Sequence, residues 1–274
     1  INAATVAMTD CTISNNTASN GGGILIKDPS TVVAMTNCTI SQNTAGIFHG
    51  GGILIGEAET VLLTGCTISE NTTPNRGYGG GLYLKDAATV TITSCTFTKN
   101  TAGSHGGGLY LNSATVTMTK CTFSENKAAP GGGLFGTVSI ITMSSCTVSN
   151  NTGNYQYSSG SGGGLQISYS GSVLTMTLCT ISGNTAARGG GLYIYDPATV
   201  ILTGSTFSGN TASIGGSDIY KHTAGSTLEY YSLCPGSTSY NGTGSLDCGG
   251  CSGPADLSDI SSCTACTGGT PFAC

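Results

Sequence analysis

Tryptophan is absent from this chain, and only 8% of its 274 residues are charged. Soluble domains ordinarily carry roughly a quarter of charged residues, so a helical enzyme of the common kind, rich in Leu, Glu, Lys and Arg, is excluded. Lys and Arg together number eight. With a net charge of -5 and a pI near 4.9, the chain has no basic stripe to hold phosphates, which argues against nucleic acid as a partner. No segment approaches the ~18 apolar residues of a membrane helix, so membrane insertion is not expected. Ile1 begins without a charged or apolar leader, as a mature or partial sequence would.

Glycine is abundant, with 44 residues. Ser and Thr make up about a quarter of the chain and β-branched residues most of its apolar content, the composition of an all-β protein. A mean hydropathy of +0.13 with so little net charge excludes disorder. Thirteen cysteines point to an oxidising, extracellular or cell-surface location. Their odd number leaves at least one thiol free or paired outside the chain.

The chain repeats itself. A triple glycine followed by apolar alternation starts at Gly21, Gly50, Gly79, Gly106, Gly131, Gly162 and Gly189 and fades at Gly215, in steps of 25 to 31 residues. After Gly79 come the strand Leu82-Tyr83-Leu84, a turn from Lys85 to Ala88, a strand from Thr89 to Thr93 and a second from Cys95 to Thr98. An Asn closes each unit, at Asn16, Asn43, Asn71, Asn100, Asn126, Asn151, Asn184 and Asn210.

Three short strands cannot bury a face alone and must stack on the next unit, which predicts a parallel β-helix. With strands about 4.7–4.9 Å apart, about eight coils give a rod of roughly 40 Å. Alternation points Leu82, Leu84, Val90, Ile92, Cys95 and Phe97 inward and Tyr83, Thr91, Thr96 and Thr98 outward. The glycines are expected at corners with positive φ, or where coils approach too closely for a Cβ. A phosphate-cradling loop is the alternative, but no Gly-Lys-Ser/Thr follows the run. The stacked Asn amides can bond their own coil's backbone and each other. The solenoid is assigned to residues 1–231 and a cysteine-rich tail to 232–274.

The pairing of Gly79-Gly80-Gly81-Leu82-Tyr83-Leu84 with Phe97-Thr98-Lys99-Asn100 resembles the GGA-[ILV] and F-x-x-N repeats of the chlamydial polymorphic outer membrane proteins, with Gly in place of the usual Ala. The resemblance covers about residues 1–220. It implies a right-handed β-helix and an adhesive passenger exposed at a cell surface. In the tail, Cys234, Cys248, Cys251, Cys263, Cys266 and Cys274 resemble the disulfide-bonded modules of extracellular receptors and EGF-like arrays, with connectivity left open. Zinc held by the two C-x-x-C pairs is the alternative.

Parallel β-helices include pectin-degrading lyases and hydrolases, so catalysis is a competing expectation. Cleaving a glycosidic bond takes two carboxylates facing one cleft. Asp28, Asp86 and Asp196 share one turn position in coils that are not adjacent, and Glu70, Lys99 and Glu125 read as an outward charge ladder. His49, His105 and His222 are scattered, and no calcium-binding nonapeptide occurs. No catalytic residue, metal or cofactor is expected.

Seven cysteines fill one inward position: Cys11, Cys38, Cys66, Cys95, Cys121, Cys146 and Cys179, with Ser205 in the eighth coil. In-register stacking holds their Cβ atoms near the ~4.8 Å strand spacing, beyond the range a bridge prefers, which favours thiols over three vertical disulfides. Outward, Thr12, Thr39, Thr67, Thr96, Thr122, Thr147, Thr180 and Thr206 form an unbroken column. Ice-binding solenoids show such arrays; a plain hydroxylated face open to O-glycosylation is the other reading. Acceptor sequons begin at Asn15, Asn37, Asn71, Asn150 and Asn241, of which Asn71, being inward, should escape N-glycosylation.

Loops between the Asn and the glycines lengthen at Ile47, Phe48 and His49, at Arg76 and Tyr78, and at Tyr155 and Tyr157. All leave from one corner and are expected to form a contact edge for another copy of the chain, another surface protein or a glycan. The uncapped start and the cysteine-rich end add the expectation of head-to-tail contact and a filament. The sequence thus reads as an extracellular structural or adhesive solenoid.

Overall fold

The computed structural model describes residues 4–74, 76–87, 89–153, 160–222, 225–231 and 240–241. Among them every regular element is a β-strand. The six tail cysteines, Tyr155 and Tyr157 lie outside the described residues.

One coil shows the construction of all. Leu82–Lys85 leads to Thr89–Thr93, then to Thr96–Thr98, and finally to a two-residue strand, Thr101–Ala102, that the three-strand expectation lacked. Stacking these in parallel gives sheets of ten, eight, eight and four strands, with a further strand pair at the last coils. The register is strict: Leu82, Tyr83 and Leu84 pair with Leu109, Tyr110 and Leu111, and Thr96, Phe97 and Thr98 with Thr122, Phe123 and Ser124. The single antiparallel pairing in the largest sheet joins Thr227–Tyr231 to Tyr240–Asn241.

Register in turn builds the core as columns. Val33, Val61, Val90, Val116, Ile141, Leu174 and Val200 stack on one another and are buried. The Phe97 and Phe123 rings lie parallel, their centroids 4.7 Å apart, so each coil's apolar residues rest on those of the next. Gly136 leaves a gap between Leu111 and Ile167, which Ile141 of the same coil fills.

Both expected uses of glycine occur, at different places in the triplet. Gly79 turns the corner at φ +65°, in the left-handed region where a side chain is strained, whereas Gly80 needs its lack of a Cβ for space. Two further corners of each coil are left-handed. The residue before each ladder Asn (Asn15, Gln42, Glu70, Lys99, Glu125, Asn150, Gly183 or Gly209) has φ between 55° and 64°. Glu70, Lys99 and Glu125 follow one another at this corner, exposed in successive coils. They occupy a backbone turn that favours Asn and Gly, and among the described residues the one ion pair within 4.0 Å is Lys85–Asp86 at 3.4 Å. Gln42 Nε2 donates to Glu70 Oε2 at 3.1 Å.

Candidate functional site: an aromatic corner

Two internal columns hold the coil around this corner. Each ladder amide donates from Nδ2 to the Oδ1 of the Asn in the following coil and to a carbonyl of the preceding one. For Asn100 the acceptors are Asn126 Oδ1 at 3.0 Å and the Ile68 carbonyl at 2.8 Å. Its own Oδ1 accepts the backbone N–H and the Nδ2 of Asn71, both at 3.0 Å. Asn43, Asn71, Asn126, Asn151 and Asn184 repeat this arrangement and are fully buried, while Asn16 at the first coil is exposed. At the other end Asn210 donates to the buried Asp218 Oδ1 at 2.8 Å, a ladder end that the repeat pattern does not announce.

Cys11, Cys38, Cys66, Cys95, Cys121, Cys146 and Cys179 are free thiols in one column, all buried except the partly exposed Cys11. Burial pushes the Cys38 thiol up, and a hydrogen bond to Cys66 together with burial raises Cys95. Cys121 and Cys179 are raised in the same way through Cys146, while the hydrogen bonds from their neighbours lower Cys66 to about 6 and also lower Cys146. From Cys38 to Cys179 the thiols are sealed inside the coil at 1% exposure, out of reach of a substrate.

Outside the coil, the position between Leu82 and Leu84 and its equivalents make another column: Leu25, Leu54, Tyr83, Tyr110, Phe135, Gln166, Tyr193 and Tyr220. The alternation places Tyr83 outward, and so it is, yet it is buried. Leu54, Tyr83, Tyr110 and Phe135 form a second apolar cluster. The corner loops close over it. Tyr83 and Tyr110 stack at 5.1 Å, and Tyr110 and Phe135 at 5.3 Å.

His49 and His105, which sequence spacing left apart, meet on this layer. The His49 ring stacks on Tyr78 at 4.6 Å and on Tyr83 at 4.8 Å, and its Nδ1 accepts the Tyr78 backbone N–H at 3.2 Å. Tyr78 stacks on Tyr110 and meets His105 edge-on at 5.0 Å. His105 in turn stands edge-on to Phe135 at 4.6 Å, with Ser104 Oγ 2.5 Å from its Nδ1. Burial lowers His49 below the ordinary imidazole value and brings His105 down to about 4. It also raises the Tyr83 and Tyr110 phenols.

Above this layer stand the tips of the loop. Ile47 and Phe48 are 59% and 49% exposed, and their backbone N–H groups both donate to the Ser19 carbonyl of the coil below. Arg76 is exposed on the next loop, while His49 and Tyr78 are inside the layer rather than on the contact edge where their loops suggested them. His222, the third histidine, joins a separate group with Tyr193, Tyr195 and Tyr220, in which burial pushes the Tyr193 phenol up to about 12.

The other chemical candidates do not converge. Glu57 and Asp86 follow the paired Gly56 and Lys85 at left-handed turns of adjacent coils, whereas the turn at Asp28 is not left-handed. All three are exposed, and among the described residues no group of three or more His, Cys, Asp or Glu could hold a metal ion. An open groove of about 420 Å³ runs beside Asp86, Ser113 and Thr115, walled by the half-exposed Val138 and Ile140. A second, of about 490 Å³, is lined by Lys99, Thr101, Glu125, Lys127 and Asn150. The sequon residues Asn15, Asn37 and Asn150 are exposed at left-handed corners, and Asn71 is buried in the ladder. Asn241 pairs with Glu229 through its backbone.

A family model described as a right handed beta helix region matches residues 1–152 and 51–230. No curated protein and no solved structure matches the chain.

Proposed function

The chain belongs to the right-handed β-helix family, and from that premise we propose that it is an extracellular structural or adhesive solenoid that makes contact through its aromatic corner. The observation that carries this reading is the pair Ile47 and Phe48, 59% and 49% exposed above a stacked and buried base. Large apolar side chains held on a rigid support are the usual anchors of an interface, because little conformational freedom is lost when they are covered. The partners are other copies of the chain, other surface proteins or glycans. The paired glycine and F-x-x-N motifs favour the finer reading, an adhesin passenger like the chlamydial polymorphic outer membrane proteins.

Replacing Ile47 and Phe48 together with Ser should weaken association on the order of tenfold or more, since two interface anchors are lost. The melting temperature should stay within about 2 °C, because exposed positions contribute little to stability. Self-association by analytical ultracentrifugation and retention on cell-wall and glycan surfaces measure the first, and calorimetry the second. Unchanged association would remove the corner from the contact, and turnover of pectin or alginate by the purified chain would replace this reading with an enzyme.

The threonine column supports a second reading. Thr12, Thr39, Thr67, Thr96, Thr122, Thr147 and Thr180 lie in register and end on Thr206, with Ser or Thr two residues on in every coil. Along these two columns Ser124 to Thr98 is the one bond between hydroxyls among the described residues. The remaining hydroxyls are open to water, as an ice-binding face requires, and thermal hysteresis of the purified chain decides it.

A further inference from the structure

Resting on the reading of this corner as the contact edge, we propose that the imidazoles of His49 and His105 latch its loops onto the coil, so that acid frees the Ile47–Phe48 segment while the coil stays folded. The geometry requires the His49 ring to be neutral, and burial disfavours a charge on His105. His49 holds its loop by accepting the Tyr78 N–H at Nδ1, and a proton on that nitrogen would replace attraction with repulsion between two donors. It would also place a charge against the stacked rings of Tyr78 and Tyr83. His105 lies deeper, enclosed by Tyr78, Tyr110 and Phe135 and beside Ser104 Oγ, where among the described residues no ion pair would meet an imidazolium.

The titratable and charged groups around the pair do not compensate. Those packed on the rings are the phenols of Tyr78, Tyr83 and Tyr110. Asp86 acts on Tyr83 and pairs with Lys85, Tyr169 acts on Tyr110, and Arg76 is exposed on the Tyr78 loop. A cation against a tyrosine face gains something, but that gain opposes both the desolvation and the loss of the Nδ1 acceptor. Burial therefore decides the sign. It lowers both imidazoles, His105 to about 4, so below the free value of about 6.5 the released loops bind more protons than the latched ones. Latch stability is complete above that value and falls as pH drops through the window between about 6.5 and 4. At one decade per pH unit, the His105 shift alone moves the equilibrium toward release on the order of a hundredfold.

The coil is built mainly of groups that carry no charge. Its columns are Val, Leu, Ile, Met and Asn amides, none of which titrates, with thiols sealed between them, of which Cys66 is lowered to about 6 by its hydrogen bond with Cys95. Release is thus expected to be local, at loops tied by few backbone bonds.

Hydrogen exchange of the full chain, corrected for the intrinsic pH effect, tests the latch directly. Peptides spanning residues 46–50 and 103–106 should lose protection at least tenfold between pH 7.5 and 4.5 while the coil strands keep theirs. A His49→Phe/His105→Phe variant, which keeps the rings and removes the titration, should show no such change. Constant protection of the corner in the wild type, or an equal loss in the variant, overturns the latch. Should the variant fail to fold, NMR titration of the two imidazoles in the wild type replaces it: midpoints below 6.5 are expected, and ordinary midpoints overturn the proposal. Neither measurement involves a partner, so failure of adhesion with an intact pH response refutes the contact edge alone.

Discussion

Gly80→Ala is expected to open the solenoid at its third and fourth coils and to cost about 4 kcal/mol or more, the range reserved for severe backbone conflict. A Cβ on Gly80 would lie 2.5 Å from the Gly107 carbonyl oxygen and 2.6 Å from the carbonyl carbon and oxygen of Thr101. All these atoms are backbone, and moving them breaks the bond from Gly80 N–H to the Gly106 carbonyl or the pairing of the strands on either side. No rotamer change relieves such a contact. Gly56→Ala is the internal control. Its Cβ would meet nothing within 4 Å and its φ is not left-handed, so the substitution should be neutral or stabilise by up to about 1 kcal/mol through the unfolded chain. Urea unfolding monitored by circular dichroism measures both, and equal midpoints would mean that the coils are not packed this closely.

Asn100→Ala comes second in expected effect. The substitution removes four hydrogen bonds and leaves the Asn71 backbone N–H buried without its acceptor. At ~1–3 kcal/mol for the unsatisfied buried group and about 1 kcal/mol for each of the other three bonds, the loss should reach about 3–6 kcal/mol. Thr96→Ala, on the outward face of the same coil, should change stability by less than about 0.5 kcal/mol. Because solenoids unfold by neighbouring units, hydrogen exchange should also show the loss concentrated around the Asn71 and Asn126 coils. Comparable losses from the two substitutions would show that the amide column does not hold the coils together.

Part of the corner is legible in the repeat itself. The lengthened loops around Phe48 and Tyr78 stand out as departures from it, and so does their common corner. Their internal order does not. Tyr83 alternates as an outward residue, and the pattern carries no information about a loop from the adjacent coil lying over it. His49 and His105 are far apart in the chain and in different coils, so only the stacking of Tyr78 and Tyr110 brings them to one layer. A signal does exist: the outward residues Leu54, Tyr83, Tyr110 and Phe135, aligned by coil, are all large and apolar, unlike the Thr columns elsewhere.

What the sequence by itself determined is the coil: the parallel strands, the inward columns and the places of Gly79, Gly80 and Asn100. These depend on period-2 alternation and on a repeat that returns each residue above its counterpart, and both are local patterns that in-register pairing simply copies. Only the tertiary structure decided what the outward residues meet. It turned Tyr83 into a core residue, set Glu70, Lys99 and Glu125 on a left-handed turn, placed Glu57 beside Asp86, and joined two histidines in one aromatic layer. The physical reason is that loops of unequal length fold across the coil boundary, where the repeat no longer prescribes the neighbour and burial of the available apolar surface does.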